Sequence, residues 1–169
     1  MLTAADRQKG EDMPDQSIDQ PPRYLVPALG GIYAVLSPCS SPLVRVATGL
    51  FFVPHGMQKL FGFWGGDLTR TAEGFTKQGL EPAMFWATYI GNLEFFGGIL
   101  LAIGLLTRPV AALFCGFMAV AAFHVHLKVG WFWTGRGMEI PLYLLLICLA
   151  ILIRGGGALS VDRTFGREI

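Results

Sequence analysis

Residues 84–106, MFWATYIGNLEFFGGILLAIGLL, form a run of 23 with one charged side chain, Glu94. A helix of about 20 apolar residues matches the hydrocarbon thickness of a bilayer. Such a run is too long for a strand and too apolar on every face for an ordinary surface helix. In lipid, each backbone N–H and C=O must find its partner within the helix. This one stretch therefore makes the chain all-α and membrane-embedded.

Three further stretches extend the pattern. Residues 43–61 (LVRVATGLFFVPHGMQKLF), 110–128 (VAALFCGFMAVAAFHVHLK) and 140–153 (IPLYLLLICLAILI) read as spans, the last starting near Gly137 to reach full length. Thr107–Arg108–Pro109 makes a tight turn, and Gly155–Gly157 stops the last span. Short connections favour antiparallel neighbours. The expectation is an integral membrane, antiparallel four-helix bundle over residues 41–165. Composition agrees: 53% of the 169 residues are apolar and 15% charged, against roughly 25% charged in soluble domains. A net charge of +1 gives no electrostatic support for nucleic-acid binding.

Residues 1–40 read as a polar tail with a short interfacial segment, YLVPALGGIYAVL at 24–36, and SPCSSP (37–42) reads as a breaker before the first span. The first twenty residues hold Asp6, Glu11, Asp12, Asp15 and Asp19 and lack the basic start of a cleavable signal, so the first span is expected to act as an uncleaved anchor. Basic residues divide almost evenly between the two sides. Arg108 in its short turn and Arg154 at a helix end place both termini in the cytoplasm, with Arg23 and Arg167 on the same side. Trp64, Trp86, Trp131 and Trp133 gather on the other side as an interfacial belt or, for residues 131–133, a pocket roof.

Charge inside lipid costs roughly 2.5–3.5 kcal/mol per residue on insertion scales, so each such residue needs a reason. On the first span Arg45, Thr48, Phe52, His55 and Lys59 fall within an arc of roughly 80°. On the second, Gly91, Glu94 and Gly98 share a small-residue face open to another helix. On the third, His124 shares a face with Lys128 while His126 points away and reads as structural. At 1.5 Å per residue, Lys59 lies about 3 Å, His124 about 6 Å, His55 about 9 Å and Glu94 about 15 Å below one rim, with Glu139 at it. Thus His55, Lys59, Glu94, His124 and Glu139 can converge in one half of the bundle, and Arg45 stands apart at the other end.

Three uses of that convergence stay open. The groups can pair internally, Lys59 with Glu139 and His55 with Glu94, holding the helices in register. They can line a pocket for a quinone-like or other small amphipathic molecule, or for protons. They can hold a metal by ligand type, although no HxxxH, ExxH or CxxC spacing supports one.

The segment RVATGLFFVPHGMQKLFGF (45–63), Glu94 with Gly97–Gly98, GLLTRPVA (104–111), His124, Glu139 and GGGALSVDR (155–163), taken in order, resemble the motifs of the DoxX family. The resemblance implies a small bacterial inner-membrane four-helix protein with motif positions Arg45, Gly49, Gly56, Lys59, Glu94 and Asp162. Relatives in that family include the small membrane subunit of a thiosulfate:quinone oxidoreductase, and others are assigned to membrane oxidoreductase complexes. It therefore implies a component of a membrane oxidoreductase with quinone as a possible ligand and a soluble or membrane redox partner. The alternatives are a non-catalytic scaffold recruiting a soluble redox enzyme, and a permeation protein for a proton or small solute. Asp162 is expected to cap the tail near Ser160.

Overall fold

The computed structural model describes residues 24–166; the polar tail, residues 1–23 with Arg23, and residues 167–169 with Arg167 lie outside the described residues. All regular structure among the described residues is helical. The elements are α1 (Ala28–Phe61), α2 (Leu68–Lys77), α3 (Ala83–Ile103), α4 (Thr107–His126), α5 (Glu139–Arg154) and α6 (Val161–Thr164). Helices α1, α3 and α4 are long and apolar enough to cross a membrane. Helix α5 has 16 residues. It starts at Glu139 rather than near Gly137, because Gly137 and Met138 bond back to the loop carbonyls of Phe132 and Gly130 at 2.9 Å each.

The reading of residues 37–42 as a breaker needs correction. SPCSSP does not break the chain: α1 contains Pro38, Pro42 and Pro54. Each proline removes one helical hydrogen bond, yet the helix continues through all three. By compact units, the chain divides at Ser37/Pro38. The connection from α1 to α3, residues 62–82, is partly helical. It holds α2, whose first turn is capped by Asp67 Oδ1 accepting from the Thr69 N–H at 2.8 Å. Leu68, Ala72 and Phe75 of α2 lie against Ala83 and Ala87 of α3, at the spacing of an amphipathic face.

The main core joins α1, α3, α4 and α5 through Phe52, Leu93, Leu101, Phe114, Met118, Leu144 and Cys148. The rings of Phe52 and Phe114 stack with centroids 4.0 Å apart. Helices α1 and α3 meet backbone to backbone. A Cβ on Gly49 would strike the Gly98 carbonyl and Ala102, and one on Gly56 would strike the Phe95 backbone. The small-residue face of α3 is thus where α1 lands.

Opposite the candidate site, the chain is locked by a polar knot. Arg45, 1% exposed, donates to the Leu159 carbonyl at 2.9 Å and the Leu101 carbonyl at 3.3 Å. Asp162 does not cap its own tail as expected; Ser160 Oγ does that, accepting from the Arg163 N–H. The Asp162 carboxylate instead takes the N–H groups of Leu106 (2.7 Å) and Thr107 (2.9 Å). This holds Leu106 in a left-handed conformation, φ 53°, that costs a side chain-bearing residue roughly 1–2 kcal/mol. Gly104, φ 75°, must be glycine for a second reason: a Cβ there would occupy the Arg45 guanidinium.

Burial alone would raise the Asp162 pKa, but the hydrogen bonds from Thr107 and Leu106 and the nearby Arg45 outweigh it and hold the carboxyl below its usual range. A depressed folded pKa contributes stability that is complete above the unfolded value of about 3.9 and is lost as pH falls through the folded value. Asp162→Asn is expected to lower stability by about 2 kcal/mol at neutral pH, with the gap to the parent closing below about pH 4 in thermal melts across pH. Gly49→Leu should cost about 1–3 kcal/mol, read by the same melts, because backbone rather than a movable side chain stands in its way.

Candidate functional site

Lys59 Nζ and Glu94 Oε2 form an ion pair at 2.5 Å. The Glu94 side chain is 5% exposed and that of Lys59 18%. Glu94 occupies a π-helical turn, Leu93–Gly97, inside α3. Such turns widen the helix locally and often mark functional positions.

This pairing replaces the expected ones. Lys59 does not reach Glu139, and His55 does not hold Glu94. Side chains on a helix lean toward its N-terminus, so Lys59, near the C-terminal end of α1, leans back along the helix. It meets Glu94 there, with Nζ 3.5 Å from the His55 carbonyl. Glu139 is taken by its own loop, accepting from the Trp133 N–H at 3.0 Å. Along α1 the buried stripe runs Arg45, Thr48, Gly49, Phe52, Gly56. His55 is turned out of that stripe and lies against Phe51, ring centroids 5.1 Å apart.

Beside the ion pair is a cavity of about 650 Å³. Its wall is mostly apolar: Phe51, Phe52, Phe75, Trp86, Tyr89, Ile90, Leu113, Phe117, Met118, Ile140 and Leu144. Its ionisable groups besides Tyr89 are His55, Lys59, Glu94 and His126. Of the five site residues read from sequence, His55, Lys59 and Glu94 line the cavity; His124 and Glu139 do not. The two histidines of α4 exchange the positions expected for them. His124 is exposed, its Nε2 3.1 Å from the Gln78 carbonyl, while His126, its Nδ1 2.6 Å from the Arg136 carbonyl, reaches the cavity wall. The cause is a second π-helical turn, Val120–His126, which rotates the end of α4 relative to a regular 3.6-residue helix. Periodicity could not reveal that turn. Trp86, Ile90 and Glu94 do follow regular helical spacing, so that part of the wall was readable. Trp131 and Trp133 are exposed and outside the cavity wall.

Among the described residues, no group of three histidine, cysteine, aspartate or glutamate side chains comes together to hold a metal ion. The site offers one charged pair, two imidazoles and aromatic faces. It can hydrogen-bond a carbonyl or hydroxyl, stack on a flat ring and pass protons.

Comparison with known proteins gives a consistent picture. The sequence profile of the DoxX family matches residues 41–127. The chain is 33% identical over 120 residues to the Bacillus subtilis protein named "Putative oxidoreductase CatD", covering 71% of this chain and 82% of that one. It is 30% identical over 128 residues to an uncharacterized protein of Haemophilus influenzae, covering 74% of this chain and 90% of that one. No solved structure matches.

Removing one partner of the ion pair leaves a charge in low-dielectric surroundings, whereas removing both does not. Glu94→Leu is expected to destabilise by about 3 kcal/mol, and Lys59→Met with Glu94→Leu together should recover most of that. Denaturation of the single and double variants in detergent measures the coupling.

Proposed function

The chain belongs to the DoxX family, and from that footing we propose that it is the membrane component of an oxidoreductase system whose cavity takes a quinone-like or small amphipathic ligand. The observation that carries this reading is the cavity itself. At about 650 Å³ it is within the usual range for small-molecule sites, and a few polar groups, among them Lys59 and Glu94, line an otherwise apolar wall. Phe51, Phe117 and Trp86 supply faces for a flat ring. Lys59 donates a hydrogen bond to a ligand carbonyl, and Glu94, His55 or His126 exchanges the protons. Reducing a quinone to its hydroquinone takes two electrons and two protons. The protons come through this chain, and the electrons come from a soluble or membrane redox partner.

In this reading α1, α3, α4 and α5 form an antiparallel four-helix bundle in the inner (plasma) membrane, with both termini cytoplasmic and residues 41–165 as the membrane domain. Helix α5 rises about 24 Å and is completed as a span by the aromatic loop before it, which lies in the interface. The extensive packing of α5 along α4 supports this arrangement.

Purified protein extracted with organic solvent should release a quinone-like lipid, and Glu94→Gln should weaken rebinding about tenfold or more. Absence of any such lipid, together with an effect of Glu94→Gln on stability alone, would favour a non-catalytic scaffold instead.

A further inference from the structure

Lys59 lines two pockets. One is the apolar cavity; the other is a polar pocket of about 240 Å³ formed where α1 gives way to α2. The second pocket is bounded by Gln58, Gly65, Gly66, Asp67, Arg70 and Thr71. It is a constructed space. A Cβ on Gly66 would run into the Gln58 carbonyl, so the loop folds back tightly on the end of α1. Arg70 reaches the Gly65 carbonyl at 3.4 Å, and Thr71 Oγ1 donates to the Asp67 carbonyl at 2.9 Å. Asp67, Arg70 and Thr71 are water-loving groups at the loop boundary, and Lys59 is the residue common to both pockets.

We infer that the polar pocket is the proton inlet of the cavity, with Lys59 carrying protons across to Glu94. The step balances without any redox partner. The Lys59 ammonium gives a proton to the Glu94 carboxylate along their hydrogen bond, leaving a neutral amine and a carboxylic acid. The amine then takes a proton from water in the inlet. The charged or titratable groups facing this route are Asp67 and Arg70 of the α2 segment on the outer side, and His55 of α1, Tyr89 of α3 and His126 of α4 on the inner side. Gln58 and Thr71 are neutral and can order the water that feeds Lys59. The inlet rests on the ligand reading only for the use to which the protons are put.

The test uses the full-length protein in lipid nanodiscs without added quinone. Protonation of Glu94 after a rapid drop in pH is followed by time-resolved infrared spectroscopy of its carboxyl band, assigned by its loss in Glu94→Gln. Lys59→Met, similar in length but unable to carry a proton, is expected to slow the rise about a hundredfold. Gln58→Leu with Thr71→Val dries the inlet while leaving the ion pair in place, and is expected to slow it about tenfold. An unchanged rate in the Gln58/Thr71 variant overturns the inlet, and it decides the matter alone if Lys59→Met does not fold. An unchanged rate in folded Lys59→Met overturns the role of Lys59. Because no quinone is present, failure here leaves the ligand reading standing, and failure to find a quinone leaves this result standing.

Discussion

Helices α1 and α3 can touch backbone to backbone only because Gly49, Gly56 and Gly98 carry no side chain at the crossing. That approach brings Lys59 within bonding distance of Glu94 and drives Phe52 onto Phe114 in the core. Any Cβ at Gly49 or Gly56 would push the helices apart, and the lysine would lose the carboxylate it neutralises. The polar chemistry of the interior thus depends on a packing constraint, and a small-residue seam is the usual way membrane helices achieve it.

The two polar clusters differ in kind. At one end Arg45 bonds to the carbonyls of Leu101 and Leu159 and Asp162 accepts from the N–H groups of Leu106 and Thr107, tying α1, the α3–α4 turn and the α6 segment together. At the other, the Lys59–Glu94 pair has cavity on one side and a polar pocket on the other. Both belong to the set of motif positions that resemble the DoxX family, so those positions divide into a structural lock and a candidate working site.

Much of this was legible beforehand. The apolar runs dictated the helices, because lipid offers the backbone no other partner. The spacing of Gly91, Glu94 and Gly98 showed which face of α3 another helix would meet. The amphipathic pattern and cap of α2 were also present in residues 67–77, although the segment reads as loop when only its polarity is weighed. What stayed hidden was local geometry. The turn Val120–His126 departs from the 3.6-residue period, so a helical wheel exchanges His124 and His126. The Asp162 partners lie 55 and 56 residues away in sequence.

The sequence by itself determined that this chain is helical, apolar enough to enter a membrane, and supplied with charges that need partners. Tertiary structure decided who those partners are. Lys59 meets Glu94 rather than Glu139 because a lysine side chain on α1 leans back along its helix into the interior, while Glu139 is held by the Trp133 N–H of its own loop. Periodicity assigns a residue to a face. Pairing also depends on side-chain direction, helix crossing distance and departures from regular winding, which are set only when the helices pack.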